Sequence, residues 1–223
     1  MYRILTVIAC SIALGACVSN EQIATESMNT EINNQPTDYR NLRSYPGNVT
    51  CGEYLEIGFY SSKYINFVVV DGKAYNRPNK LDLAVFCSDN SISSLNQELG
   101  IDYQAQKESI KAIRDAFALI EPALLAFEKD AKRFPSTEQG LKALSEPALY
   151  GPLYTPFPED GYLATVPLDP WGNEFDYYLS PMGGIRILYD LQSFGADGVP
   201  GGEGENADIK STYERYFEHI DNL

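Results

Sequence analysis

The chain has 223 residues, of which 44% are hydrophobic and 12% aromatic, enough for one domain of moderate size or two small ones. Its 31 acidic and 17 basic residues give a formal net charge of −14, and no cluster of Lys and Arg interrupts this pattern. Because nucleic-acid binding requires basic side chains that neutralise phosphates, the charge argues against a nucleic acid as partner.

The N-terminus carries an export signal. One basic residue, Arg3, precedes an apolar run over 4–14 that is too short to span a bilayer. The run ends in Leu14-Gly15-Ala16-Cys17, which resembles the bacterial lipobox. The resemblance implies a signal peptide over 1–16, cleavage before Cys17 and attachment of acyl chains to that residue. The alternative is an ordinary secretion signal with a chance cysteine.

A lipid at Cys17 would hold the protein on a membrane, because two or three acyl chains anchor stably where one does not. Val18 stands where lipoproteins retained at the inner membrane carry aspartate. The expected location is therefore the outer membrane, at its periplasmic face or at the cell surface.

Two further cysteines remain after Cys10 leaves with the signal and Cys17 takes the lipid. Cys51 and Cys87 form an even pair in an oxidising compartment, so we expect a disulfide between them. Two buried free thiols are the less favoured alternative.

The first half of the mature chain predicts a spacer followed by a β-rich unit. Residues 17–48 are polar, which is typical of a flexible spacer. Within 49–98, β-forming residues gather in runs over 54–60, 64–70 and 81–86, and Asp71-Gly72 is a hairpin turn signal. These runs predict a small antiparallel β unit stapled by the disulfide.

A long helix is expected over 102–132, since six apolar residues recur at steps of three and four: Ile110, Ile113, Phe117, Ile120, Leu124 and Phe127. Ser136 and Gln139 fit a capping box that starts a second short helix. Short strands are expected next, over 162–166, 175–179 and 185–190, and residues 212–220 predict a terminal helix.

The segment from Leu191 to Asp208 is the candidate for binding chemistry. Ca²⁺ takes roughly six to eight oxygen ligands in flexible geometry. The segment offers side-chain oxygens on Ser193, Asp197, Glu203, Glu205, Asn206 and Asp208, interleaved with glycines. The order of an EF-hand is missing, and acidic glycine-rich loops are also typical of solvated surfaces. The residues alone leave both interpretations open.

Several motifs over about 110–209 resemble, in order, the globular domain of the major pseudopilin of type II secretion systems. They are Phe134-Pro135-Ser136-Thr137-Glu138-Gln139-Gly140-Leu141, Gly161-Tyr162-Leu163, Pro167-Leu168-Asp169-Pro170-Trp171-Gly172-Asn173, Tyr189-Asp190-Leu191, Gly195-Ala196-Asp197-Gly198 and Glu203-Gly204-Glu205-Asn206-Ala207-Asp208-Ile209. Within the third motif, Trp171 is expected to fill the core.

This resemblance implies an α+β domain over 102–223, in which a long helix packs on a small antiparallel sheet, preceded here by the disulfide-stapled β unit. It also implies one structural calcium ion in the loop. The matching aspartates are Asp197 and Asp208, and Leu191 and Val199 are the expected carbonyl ligands. Ser193, Asn206 and Glu205 stand beside them as further candidate ligands.

The chain departs from that family at its start, where members carry a long apolar helix that packs in the filament core. Assembly through such a helix is therefore not expected. The leading hypothesis is a non-enzymatic, lipid-anchored envelope protein that serves a secretion or pilus-like system through protein partners. The runner-up is a module whose 16 tyrosines bind a glycan or protein. A hydrolase is the weakest hypothesis, because the sole histidine, His219, is expected at the surface.

Overall fold

The computed structural model describes residues 19–32, 38–147, 157–180 and 188–223. The signal peptide and Cys17 lie outside these ranges, so the lipobox stays a prediction. The chain divides into two compact units, with the boundary in the sequence between Asp89 and Asn90. This boundary corrects the expected end of the β-rich unit near residue 98, since residues 90–98 belong to the second unit. No helix in the described ranges is both long and apolar enough to cross a membrane.

The first unit is built on a four-stranded antiparallel meander. Strands β1 (Tyr39–Tyr45), β2 (Val49–Ile57), β3 (Ser62–Val70) and β4 (Lys73–Asn76) are hydrogen-bonded in sequence order. Between β3 and β4, Asp71 and Gly72 both have positive φ, as the type I′ turn of a two-residue hairpin requires. The predicted turn is therefore confirmed.

A helix covers each face of this sheet. Helix α1 (Asn20–Glu31) buries Ala24 and Met28 against a cluster of Tyr54, Phe67 and Val69. Helix α2 (Lys80–Phe86) serves the opposite face, where the predicted disulfide joins Cys51 of β2 to Cys87 at the end of α2. The period-2 alternation of a strand explains why adjacent residues of β3 face different helices.

Two expectations for this unit were wrong. Residues 20–31 and 39–45, expected within a flexible spacer, form α1 and β1. Residues 81–86, expected as a strand, lie in α2. A short apolar run cannot distinguish strand from buried helix. Here Asn79 decides, because its side chain accepts from the Asp82 N–H at 2.8 Å while the Asp82 side chain accepts from the Asn79 N–H.

The second unit is organised around a long helix. Helix α3 (Ser91–Leu99) comes first and helix α4 (Lys107–Ala131) comes next, five residues shorter at its start than expected. All six residues of the predicted apolar stripe are buried. The stripe packs on the sheet side of the unit, for example through Phe117, whose ring lies 5.2 Å from that of Phe175. The α+β class, with a long helix on a small antiparallel sheet, is confirmed.

The sheet of this unit has the order β5 (Asp176–Ser180), β6 (Leu188–Ser193) and β7 (Ile209–Lys210), all antiparallel. The strand expected over 162–166 is absent from the described structure, where bends occupy these residues. Ser136 and Gln139 make both bonds of the predicted capping box, at 3.2 and 3.1 Å. The helical segment after this box is a single 3₁₀ turn, Leu141–Leu144, rather than an α-helix.

Helix α5 (Glu214–Asp221) is held to α4 by a polar cluster. Arg114 donates to both carboxylate oxygens of Glu214 and, at 2.7 Å, to Asp221. The Tyr103 hydroxyl donates to the other oxygen of Asp221 at 2.6 Å. These charge-assisted bonds complement the stacked rings of Tyr103 and Phe217, whose centroids are 5.7 Å apart.

Candidate calcium-binding loop

The acidic segment is a loop whose two ends are clamped by the sheet. Ser193 pairs with Ile209 and Gln192 with Lys210, so the residues between leave β6 and return to β7 at the same point. Within the loop the Ala196 N–H donates to the Glu205 carbonyl at 2.8 Å. At its far side the Gly204 N–H donates at 2.7 Å to the carbonyl of Gly100, which ends α3. The loop is thus tied to its unit at several places.

Two glycines allow the loop to fold closely on itself. Gly195 has φ +72°, and a Cβ there would lie 2.5 Å from the Glu205 carbonyl oxygen. Gly202 has φ +96°, and a Cβ there would lie 2.5 Å from the Asn206 carbonyl oxygen. Real Cβ atoms do not come so close to an oxygen. Both positions therefore require glycine for space as well as for backbone angle.

The buried carboxylate of Asp169, which was not predicted as a site residue, binds the β6 end of the loop. Asp169 is 5% exposed and lies at the start of the Pro170-Trp171-Gly172-Asn173 turn. Its Oδ1 accepts from the N–H groups of Trp171 at 3.1 Å and Asn173 at 2.8 Å, while its Oδ2 accepts from the Ser193 hydroxyl at 2.8 Å. Asp169 thus joins the turn to Ser193, the last residue of β6, after which the loop begins.

Asn173 adds a second connection between this turn and the loop. Its side-chain amide donates to the Gly195 carbonyl at 3.0 Å, and its side chain lies against Gly198. An aspartate before a proline turn is a known signal for side-chain to backbone bonds of this kind. That signal predicts the local turn, but not its bond to Ser193, which is 24 residues away in the sequence.

The two aspartates expected to bind calcium approach the same short turn. Asp197 accepts from the Val199 N–H at 3.2 Å, and Asp208 accepts from the Gly201 N–H at 2.9 Å. These two N–H groups are two residues apart, so both aspartates bond the same turn. Burial, with the negative charge of Asp208 as second cause, raises the pKa of the Tyr213 phenol. The carboxylate of Asp208 thus contributes to the raised pKa of Tyr213.

The other candidate ligands divide into two groups. Ser193 is fully buried, and its hydroxyl donates to Asp169 and accepts from the Gly195 N–H at 3.1 Å, so its observed role is structural. Leu191 is a buried residue of β6, and Val199 is exposed in the turn. Glu205 and Asn206 lie in the 3₁₀ turn Gly204–Asn206.

The donor set fits calcium only if the backbone takes part. In the described ranges, no group of three or more His, Cys, Asp or Glu side chains is arranged to hold a metal. Side chains alone therefore do not make a metal site in the loop, and if Asp197 and Asp208 bind a cation, the other oxygens would have to come from carbonyls, amide side chains and water. Ca²⁺ accepts such a mixture, whereas Zn²⁺ favours nitrogen and sulfur ligands.

Two side chains differ from expectation in burial. His219 is 5% exposed and not at the surface, with its Nε2 3.3 Å from the Ser91 hydroxyl, which is itself buried. Trp171 is half-buried beside the turn, not part of the closed core. The amphipathic pattern of α5, which buries Tyr216, Phe217 and Ile220, places His219 on its inner side.

Comparisons with known proteins identify a family for the second unit. The family model described as Type II secretion system (T2SS), protein G matches residues 101–212. A type II secretion system core protein G from Vibrio cholerae is 44% identical over 100 residues, which are 44% of this chain and 64% of that protein. The corresponding protein of Escherichia coli K12 is 37% identical over 107 residues, 48% of this chain and 70% of that protein.

A core protein G from Pseudomonas aeruginosa is 43% identical over 90 residues, and the chain spans 61% of its length. The crystal structure of the major pseudopilin from the type 2 secretion system of enterohaemorrhagic E. coli is 31% identical, with a TM-score of 0.40. That match covers 48% of this chain and 89% of the pseudopilin chain. Through residues 101–212, the chain belongs to the type II secretion system protein G family.

Proposed function

We propose that the protein is a non-enzymatic, lipid-anchored component of the bacterial cell envelope that serves a type II secretion system as an accessory or interaction protein. The observation that carries the proposal is the family match, which spans α4, the Asp169 turn and the loop up to β7. The relatives are named as core proteins of that system. Secretion components are therefore the partner class we propose.

We further propose that a calcium ion stabilises the second unit through the loop. Asp197 and Asp208 would supply the carboxylates, with Leu191 and Val199 supplying carbonyl oxygens and Asn206 and Glu205 as further ligands. In support, both aspartates accept hydrogen bonds from backbone N–H groups of one turn, those of Val199 and Gly201. A cation there would offset the repulsion between two nearby negative charges.

Thermal unfolding of the full chain, followed by Trp171 fluorescence, tests the calcium proposal. A ligand that binds only the native state raises its stability by about 2.7 kcal/mol at a hundred times its dissociation constant. We expect calcium to raise the midpoint and a chelator to reverse the rise. Asp197→Ala and Asp208→Ala should each remove most of the difference. Asp160→Ala, at an exposed turn residue outside the loop, is the matched control and should retain it.

An unchanged midpoint with and without calcium would reject the metal site. It would leave the secretion role standing, because the family match does not depend on the ion.

The lipid anchor is tested at Cys17. Incorporation of a labelled fatty acid into the chain in growing cells, and its loss in Cys17→Ala, would support the anchor. Recovery of the unaltered chain in the soluble periplasmic fraction would contradict it.

Crosslinking in intact cells that carry the secretion system tests the partner class. We expect secretion components among the crosslinked products. The alternative, a ligand-binding module, predicts saturable glycan or protein binding without such products. Against it, Tyr54, Tyr103, Tyr177 and Tyr216 are buried and cannot contribute to such a surface, although Tyr60 and Tyr178 are exposed.

The non-enzymatic part of the proposal is supported by the burial of the sole histidine, His219, and of its neighbour Ser91, which is 3% exposed. Detectable hydrolysis of peptide or ester substrates by the pure chain, lost in His219→Ala, would contradict this part of the proposal.

A further inference from the structure

The outer face of α4 carries apolar side chains that the described residues of its own unit leave exposed. Leu119 and Leu125 are 58% and 56% exposed, and Ala118, Pro122 and Ala126 are exposed as well. These five residues form the outer stripe of α4, on the side opposite the buried residues from Ile110 to Phe127. A contiguous apolar stripe on an otherwise charged helix is typical of an interaction surface.

The outer stripe is symmetric about Pro122. Leucines lie three residues before and after it, at Leu119 and Leu125, and alanines lie four residues before and after it, at Ala118 and Ala126. Seven residues away in each direction the side chains are charged and of opposite sign. These are Asp115 on one side and Lys129 on the other, both exposed.

We propose that the outer stripe is the interface of a two-fold symmetric dimer, in which α4 pairs antiparallel with α4 of a second copy of this chain. A two-fold axis beside Pro122 places each residue before it level with the residue the same distance after it in the partner. Leucine is then level with leucine and alanine with alanine along the helix pair, and Asp115 faces the lysine at position 129 of the other copy. At a rise of 1.5 Å per residue, both charge pairs lie about 10 Å from the axis.

Charge and side-chain size favour this occupant. In an antiparallel pair, both ends of the stripe gain an opposite-charge contact, whereas a parallel pair would place each charge against its own kind. The small side chains of Pro122 and the two alanines let the helices approach closely, and the leucines fill the two flanks of the stripe. Asp115 now bonds Lys111 at 2.6 Å, but both side chains are more than 60% exposed, so the exchange of partners is nearly neutral.

The contact is isologous, and it closes after two copies instead of growing into a filament. One helix face from each copy is a small interface by the standards of stable complexes. We therefore expect a weak dimer, with a dissociation constant on the order of 10 µM or above.

Disulfide crosslinking of the full chain in non-ionic detergent tests the symmetry. Pro122→Cys places one thiol of each copy beside the axis and returns an N–H to the helix, so the fold tolerates it. We expect this variant to form a crosslinked dimer on mild oxidation, at several times the level of the unaltered chain. Ala112→Cys is the matched control, since it is exposed on the same helix but lies far from its counterpart in the proposed dimer. Equal crosslinking of the two variants would overturn the proposal.

Charge reversal tests the pairing. In the Pro122→Cys background, Asp115→Lys alone and Lys129→Asp alone should each reduce crosslinking several-fold, because like charges then face each other at both ends. An equimolar mixture of the two variants should restore it, since every end of the mixed pair again joins opposite charges. Failure of the mixture to exceed the separate variants would overturn the proposal. Recovery would also show that both variants are folded.

Discussion

The folded structures of the two units are stabilised by different interactions. In the first, a covalent bond joins β2 to the end of α2 across 36 residues of sequence. In the second, the loop between β6 and β7 is held to its surroundings by hydrogen bonds that centre on the buried carboxylate of Asp169. A disulfide acts chiefly on the unfolded chain, whereas a buried polar network acts on the folded state. The two units should therefore fail under different conditions.

Reduction of the disulfide should give the largest effect, and only in the first unit. On the chain-entropy model, closing a loop of this length contributes up to about 4 kcal/mol. We expect Cys51→Ser with Cys87→Ser to unfold the first unit at much lower urea, as seen by circular dichroism. Trp171, the only tryptophan, reports on the second unit, and its fluorescence transition should stay in place. If the circular dichroism and Trp171 fluorescence transitions both moved to lower urea, the disulfide would not act on the first unit alone.

Removal of the Asp169 carboxylate should have the reverse pattern. Asp169→Ala leaves the buried Ser193 hydroxyl and the Asn173 N–H without their acceptor, for a loss of about 3 kcal/mol. The Trp171 transition should move, while the circular dichroism signal of the first unit should not. Asp176→Ala is the control, as its side chain accepts one part-buried bond from Gln192 and should lose far less.

Loop glycines separate backbone strain from lack of space. Gly201 and Gly202 have nearly equal φ, at +95° and +96°, but a Cβ at Gly201 meets nothing within 4 Å. Gly201→Ala should therefore lose only the strain of a left-handed residue, about 1 kcal/mol. Gly202→Ala should lose about 1 to 2 kcal/mol more, because its Cβ would strike the Asn206 carbonyl. If urea unfolding showed equal losses of unfolding free energy for the two variants, the loop would be able to shift and accommodate the added Cβ at residue 202.

The sequence predicted what depends on local pattern. The stripe of α4, the Asp71-Gly72 hairpin and the cysteine pair are each readable from spacing, composition or compartment, and each is present. Helix α1 was not predicted, because most of its residues are polar. Only Ala24 and Met28 are buried, and they gain an apolar environment only when the sheet is already formed.

The role of Asp169 was also beyond local pattern. Its bond to Ser193 joins residues of two separate motifs, and nothing in either motif requires the other. For His219 the amphipathic pattern of α5 marks the inner side, but its contact with Ser91 of α3 joins residues 128 apart in the sequence and is not visible in that pattern. Tertiary contacts that join distant residues determine both outcomes.

Acid should expose a smaller difference between the units. Burial raises the pKa of Asp221, but the hydrogen bonds from Tyr103 and Arg114 outweigh it and hold the pKa below its usual value. A carboxylate whose folded pKa is lowered stabilises the fold above its unfolded pKa, near about 3.9, and that contribution is lost as the pH falls through the folded value. Stability of the second unit should therefore decline below about pH 4.

Asp221→Asn isolates this contribution. The variant should be less stable than the unaltered chain at pH 7, by about 1 kcal/mol or less because the carboxylate is 31% exposed. The difference should shrink between pH 5 and pH 3, as the pH falls towards the lowered folded pKa of the Asp221 carboxylate. Urea unfolding followed by Trp171 at pH 7, 5 and 3 measures the difference, with Asp160→Asn as control for loss of charge alone. A constant difference across this range would mean that Asp221 acts through packing, and the second unit would then depend less on charge than its bonds suggest.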